Sequence, residues 1–429
     1  MPTASDKAQK TLANKLNTHQ LSHWLQAMAS VSPEQKPLPP SIPGGANWSD
    51  AAYQRRRAFV AETIGTDIGY LTGVNPPESP ETLRGNIENY IGMTQVPTGL
   101  VGPLRILGTE ANGDFYIPLA TSEGALIASY NRGAKIASVA GGVRSICLTE
   151  GVQRTPSFIF ENFLEVSQFF VWVMEHLNVF KGIASQHTAH GKLQDIQSNI
   201  LGNQITLIFE YTTGDASGQN MVTICTYAVC QYIAEHCPVK PRQWYIEGNL
   251  SGDKKASAIS FMSVRGKKVM AEVTLPRAMV QKYLRISPEA MMDYWETAIV
   301  NGIQSGSIGV NGHFANGLAG IFLACGQDVA TISEASVGIT RFDLVNGGED
   351  LYISVTLPNL IVGTVGGGTG LPTQQECLSL MDCYGAGKAK KFAEICAAAV
   401  LCGELSIIGA IAAGDFAKAH KLYGRKKSK

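Results

Sequence analysis

An α+β fold is the class this sequence predicts, and three features predict it. Ile205, Leu207 and Phe209 alternate with Thr206, Ile208 and Glu210 in strand period. After a turn at Thr212 to Asp215, the residues Met221, Cys225, Ala228, Val229 and Tyr232 recur at helical spacing. The runs Ala258–Val264 and Lys268–Leu275 flank Arg265-Gly266-Lys267 and read as a hairpin. Beyond these, the most apolar late stretch, Cys396 to Ala413, is interrupted by Glu404 and Gly409, which suits a buried helix better than a membrane span.

In chain order, Leu12, Leu16, Leu21, Trp24, Leu25 and Met28 keep loose helical spacing and are followed by a linker, Pro37-Leu38-Pro39-Pro40 with Gly44-Gly45. A polar helical segment runs around Tyr53 to Ile64, so residues 1–87 read as a small helical N-terminal region. From Glu88 the texture becomes short strands and helices punctuated by glycine. Thr121-Ser122 precedes a helix-forming run from Glu123 to Ile136, which either hydroxyl would cap. Phe158 to Cys237 reads as a separate α+β unit, and the remainder alternates apolar helices with glycine-rich turns up to a long C-terminal helix.

Composition narrows the function. With 35 basic and 35 acidic side chains among 429 residues, the chain has no global field for nucleic acid or an anionic membrane. The cluster Arg425, Lys426, Lys427 and Lys429 reads as a solvated tail. Nine cysteines occur without a CxxC pair or a histidine at zinc-ligand spacing, so no metal is expected and the thiols read as reduced core residues. The N-terminus lacks the apolar core of a signal peptide, and the expectation is a cytoplasmic protein without a membrane anchor.

Two segments invite phosphate. Gly214-Asp215-Ala216-Ser217-Gly218-Gln219-Asn220-Met221 opens a helix directly after a strand, where free N–H groups and the positive dipole end suit a pyrophosphate. A helix capped by Asp215 accounts for the same residues equally well. The spacing is not GxGxxG, so a Rossmann fold is not supported. A second cluster, Gly363 to Gly370, fits either a phosphate-facing loop or a close-packed turn.

Taken together, several segments resemble the 3-hydroxy-3-methylglutaryl-CoA reductase family. Glu88-Asn89-Tyr90-Ile91-Gly92, Val96-Pro97-Thr98-Gly99 and Gly102-Pro103-Leu104 resemble its opening motif. Thr121-Ser122-Glu123-Gly124 matches the glutamate motif, Asp253-Lys254-Lys255 the lysine motif, and Cys325-Gly326-Gln327-Asp328 the aspartate motif. Gly363 to Thr369 matches the glycine loop, and the turn from Asp215 resembles the cofactor motif. The order and spacing agree from about Glu88 to His420.

The resemblance implies a large domain around a central long helix, residues 88–155 and 248–429. It also implies an inserted ferredoxin-like cofactor domain, residues 156–247, and active sites formed between subunits of a homodimer or dimer of dimers. The implied reaction takes hydroxymethylglutaryl-CoA to mevalonate in two hydride transfers from NADPH, with NADH kept open. Lys254 is then the cation for the developing oxyanion. Glu123 is the proton donor, a role that needs a carboxyl holding its proton near neutrality. Asp328 hydrogen-bonds both of them, and His420 protonates the departing thiolate. Arg154, Asn316 and Lys255 are implied at the substrate, and Thr188, Lys192, Asp215, Gly218, Asn220, Val365 and Gly366 at the cofactor.

Read without the motifs, Asp253-Lys254-Lys255 is a surface charge run, Glu123 an acid favouring a helix N-terminus and Asp328 a helix cap. His420 is then a residue of a helix's last turn and Arg154 a solvated arginine. The sequence also departs from the family pattern. Ser217 and Gln219 replace methionines, Ala189 stands in Thr188-Ala189-His190-Gly191-Lys192 where an arginine is frequent, and Ala298, Ile299 and Val300 supply no lysine for a substrate carboxylate. Two rivals follow: a reductase of a related acyl-CoA, and a non-catalytic CoA- or nucleotide-binding subunit.

Overall fold

A computed structural model describes residues 36–415 except 46, 77 and 78, together with residue 26. The expected helix over residues 12–28 falls outside them but for Gln26, and His420 lies outside them as well. The Tyr53–Ile64 segment forms α1 (Asp50–Phe59) and one π-helical turn, Val60–Ile64. The Ser49 hydroxyl caps α1 by accepting from Ala52 N.

Next come β1 (Thr98–Gly108), β2 (Asn112–Ala120), α2 (Leu126–Val139) and β3 (Val143–Arg154). α2 starts later than the run from Glu123 suggests, and neither hydroxyl caps it. Thr121 Oγ1 instead accepts from Glu123 N, and Ala125 at φ +72° turns the chain before the helix begins.

A second unit follows: β4 (Ser157–Ile159), α3 (Phe163–Glu175), α4 (Leu177–Gln186), β5 (Lys192–Leu201), β6 (Gln204–Thr212), α5 (Gln219–His236) and β7 (Gln243–Tyr245). Its strands lie in the order β7-β4-β6-β5, every pair antiparallel. With helices after its first and third strands this is the β-α-β-β-α-β ferredoxin-like arrangement. It has its own apolar core, which includes Phe158, Phe169, Phe180, Phe209 and Val229. The buried face of α5 runs through Val222, Cys225, Val229 and Ile233, one residue on from part of the expected stripe.

The chain returns through β8 (Gly266–Pro276), α6 (Arg277–Leu284), α7 (Pro288–Gln304), α8 (Phe314–Ala324), α9 (Ile332–Ala335), β9 (Ile339–Val345), β10 (Asp350–Leu360), α10 (Pro372–Leu380) and α11 (Ala389–Ala412). The larger sheet runs β2-β1-β3-β8-β10-β9, with β1 parallel to β3 and the other pairs antiparallel. β3 joins the two sheets, because its last residues, Val152–Arg154, pair with β6.

The hairpin expected over Ala258–Val264 and Lys268–Leu275 does not form. Both edges of β8 are taken, by β3 and by β10, and Ala258–Phe261 is a 3₁₀ turn that feeds the strand.

The late apolar stretch is α11, the central helix. It is the one helix among the described residues long and apolar enough to cross a membrane, and it is mostly buried inside the molecule. It packs on α2 so closely that a Cβ at Gly133 would lie 1.9 Å from the Cys402 carbonyl oxygen, so Gly133→Ala would force the two helices apart. Two carboxylates on α11 are wholly buried and serve backbone donors. Glu394 accepts from Thr109 Oγ1 and from the amides of Glu110, Ala111 and Cys147, tying the β1–β2 turn to β3. Glu404 accepts from Gly312 N at 2.6 Å, His313 N at 2.7 Å and Thr340 Oγ1 at 2.7 Å, fixing the entry to α8.

Candidate active site

Lys254 occupies the loop between β7 and β8, at φ +57°. A side chain in that left-handed region costs about 1–3 kcal/mol and persists only where its surroundings hold it. Here it is held at both ends. Glu334 Oε1 accepts from Lys254 N at 3.0 Å, and Lys254 Nζ lies 2.9 Å from Asp328 Oδ2. Asp328 also caps the short turn after it, accepting from Ala330 N at 3.0 Å. The cap reading of this aspartate holds, and of the two contacts expected of it the one to Lys254 is present.

Behind the loop is a buried network of charge. The Arg265 guanidinium, with no exposed surface, donates to Glu334 Oε2 at 2.8 Å, to Asp253 Oδ1 and to the Gln153 carbonyl at 3.1 Å. Arg154, at the end of β3, donates to Glu247 at 3.0 Å and to Asp253 at 3.3 Å. Its side chain is only 9% exposed, which rules out the solvated reading. Glu247 in turn accepts from Asn249 N and Ser251 Oγ and so shapes the loop leading to Lys254. Burial pushes the Glu334 carboxyl above its ordinary pKa, and the Arg265 charge opposes that rise. Lys255, exposed, donates to the Asp253 carbonyl two residues back at 2.8 Å.

Glu123 stands elsewhere. It is exposed, and its Oε1 is 3.5 Å from Asn316 Nδ2 on the first turn of α8. Asp328 follows the far end of that helix, whose eleven residues rise roughly 16 Å. One chain thus brings Lys254 and Asp328 together but not Glu123, and the expected contact between Asp328 and Glu123 is absent within it. Asn311 caps α8 by accepting from Phe314 N at 3.2 Å, and His313 stacks on Tyr130 with ring centroids 5.8 Å apart.

The cofactor-type segments converge on the aspartate turn. A Cβ on Gly326 would lie 2.2 Å from the Gly368 carbonyl oxygen, and the Gln327 amide grips Gly363 by both its N–H and its C=O. On its other side the glycine loop meets the turn before α5. Thr364 N donates to Asp215 O at 2.8 Å, and a Cβ on Gly363 would be 2.7 Å from Ser217 N. α5 itself begins at Gly218 with φ +78° and no side-chain cap. The reading in which Asp215 caps α5 is corrected: its carboxylate accepts from Gly387 N at 2.7 Å and Ala389 N at 3.0 Å, and so caps α11.

Beneath these loops Lys267 is buried and donates to the Val362 carbonyl, and burial holds its pKa below the ordinary value. Thr188 Oγ1 accepts from His190 N and Gly191 N and lies 2.9 Å from Met221 Sδ, which seats the 188–192 turn on the start of α5. Lys192, Asn220 and Gly366 are exposed along this surface and Val365 is half-buried. An uncapped helix start, open space at Gly366 and Gly367 and nearby cations fit the pyrophosphate of a dinucleotide.

Sequence reasoning missed Glu334, Arg265 and Glu247. Arg265 and Glu334 lie 69 positions apart. The available signal was Glu334 alone, a single charge between Thr331 and Gly338, since Arg265 reads as part of the Arg265-Gly266-Lys267-Lys268 turn.

The match to the family model for hydroxymethylglutaryl-coenzyme A reductase spans residues 52–425. A Pyrococcus abyssi protein named 3-hydroxy-3-methylglutaryl-coenzyme A reductase is 46% identical over 382 residues, 87% of this chain and 93% of the relative. One of the same name from Methanothermobacter thermautotrophicus is 41% identical over 379 residues, 88% of this chain and 94% of the relative. A solved class II enzyme of this name from Streptococcus pneumoniae, bound to NADPH in open conformations, superposes with a TM-score of 0.69 at 18% identity. That superposition covers 84% of this chain and 97% of the other. The lysine clamp, the stacked glycine loops and these likenesses agree: the chain belongs to the hydroxymethylglutaryl-coenzyme A reductase family.

Proposed function

We propose that this chain reduces hydroxymethylglutaryl-CoA to mevalonate and CoA in two successive hydride transfers. The observation that carries the reading is Lys254, an ammonium 2.9 Å from Asp328 on a left-handed backbone. Negative charge grows on the carbonyl oxygen at each transfer, and a cation fixed in advance stabilises it without reorganising. Asp328 orients Lys254 Nζ, Glu123 delivers the proton to the developing alkoxide, and His420 protonates the leaving thiolate. Lys255, Asn316 and Arg154 serve the acyl end. The Arg154 guanidinium is oriented for that role by Glu247 at 3.0 Å and Asp253 at 3.3 Å.

The small unit, residues 156–247, holds the dinucleotide with Thr188, Lys192, the Asp215 turn, Gly218 and Asn220, while Val365 and Gly366 close its other side. When bound, the reduced nicotinamide supplies the hydride. NADPH is the cofactor in this reading, as in the Streptococcus pneumoniae structure, with NADH as the alternative.

The active site is completed between two copies of the chain in a homodimer or dimer of dimers. Support comes from α8, which separates Glu123 from Lys254 by its own length within one copy. We place the enzyme in the cytoplasm. A related acyl-CoA is the second reading, favoured by α7, where Val300 and Ile303 are 64% and 69% exposed and no lysine stands for a substrate carboxylate.

The test follows nicotinamide absorbance with hydroxymethylglutaryl-CoA and either NADPH or NADH. About two cofactors oxidised per thioester confirms the reaction, whereas turnover only with another acyl-CoA selects the second reading. Mixing inactive Glu123→Gln and Lys254→Ala chains restores activity if sites are shared between copies. No recovery after verified subunit exchange overturns the shared site.

A further inference from the structure

The segment that carries Asp328 grips Lys254 twice. Asp328 takes the ammonium, and six residues on, Glu334 takes the backbone N–H through a carboxylate with no exposed surface. The second oxygen of Glu334 is held at 2.8 Å by Arg265, which is itself unexposed and also donates to Asp253, the residue preceding Lys254. A buried charge pair of this kind is a weak device for stability, because desolvation offsets most of its attraction. What it does supply is direction. Two carboxylates tied to one guanidinium fix the Asp253–Lys254 peptide, and Lys255 N donates to Gly252 O at 3.0 Å on the other side of a residue held at φ +57°.

We infer that Glu334, with Arg265 as its counter-charge, is a positioning residue for Lys254, setting the backbone from which the ammonium reaches the reacting oxygen. The inference rests on the proposed role of Lys254, and the experiment keeps the two apart.

Glu334→Gln keeps the size and one acceptor but loses the charge. The expected result is a kcat for thioester reduction lower by ten- to a hundredfold. KM for the thioester and the dissociation constant for NADPH should stay within about threefold. A general loss of structure would move all three. In a Lys254→Ala background the same change should have no further effect on the single-turnover rate, since the group it positions is gone.

A kcat within twofold of the unaltered enzyme, or an undiminished loss on top of Lys254→Ala, overturns the inference. If Glu334→Gln does not fold, the double change Glu334→Met with Arg265→Met removes both charges together, a replacement buried pairs commonly tolerate. A folded double variant should show the same kcat loss, and full kcat would refute the positioning role. Full activity of Lys254→Ala alone would instead sink the proposed role of Lys254.

Discussion

The lysine side and the dinucleotide side of this site are held rigid by opposite means. Around Lys254 the work falls to charge: the buried Arg265, Arg154 and Glu334 and the partly buried Asp253 and Glu247 cross-link a loop. Around the glycine loop it falls to the lack of side chains, with Gly326, Gly363 and Gly368 letting three turns meet backbone to backbone. In the proposed function the contrast follows the chemistry each side would serve. A cation that must stabilise transient charge needs fixed orientation, whereas a polyanionic ligand needs N–H groups that it can approach closely.

The comparison is broken most severely by Lys254→Ala. Hydride transfer should fall more than about a thousandfold, or ~4 kcal/mol of transition-state stabilisation. NADPH binding, measured by fluorescence titration, should change little. A parallel loss of binding would mean the two sides are not separate.

Gly363→Ala probes the other side. Its Cβ would press on Ser217 N and Asp215 O, at 2.7 and 3.0 Å. Overpacking of that order costs about 1–3 kcal/mol. Dinucleotide affinity should drop about tenfold in the same titration while the lysine loop is left intact, and unchanged affinity would show that the turns yield freely.

Asp215→Ala sharpens the comparison further, because this acid caps α11. Loss of a cap costs about 1 kcal/mol, up to 2, seen as a thermal midpoint lower by roughly one to three degrees. Asp215→Asn should recover most of it.

The smallest effect belongs to Asp382, a surface acid beside Lys388 and Lys391. Hydrogen bonds from these lysines draw its pKa from 3.8 to about 2. A depressed carboxyl contributes stability above its unfolded pKa and loses it as pH falls toward the folded one. The advantage over Asp382→Asn in urea melts should therefore shrink between about pH 4 and 2. Because the group is largely exposed, it should be below ~1 kcal/mol even at pH 6.

Legibility followed the same division. Lys254, Asp328 and Glu123 stood out because their neighbours form local motifs, and the glycine turns stood out because glycine is conspicuous in a sequence. Glu334 and Arg265 did not, since a buried ion pair 69 residues apart has no local pattern. The α5 strand–turn–helix was readable from periodicity, whereas Ala258–Val264 was misread. Apolar alternation there cannot reveal that β8 has no free edge to pair with. Of the two readings open for the Asp215 turn, the cap of the following helix fails, because the helix Asp215 caps begins 174 positions later.

That distant cap makes α11 a tie rod. One end is anchored to the Asp215 turn of the small unit, and its 24 residues run roughly 36 Å through the core. The other end releases the chain at Ala413, seven residues before His420 in sequence. The two termini of a stiff, buried rod cannot shift independently, so a displacement of the Asp215 turn along its axis is transmitted to Ala413.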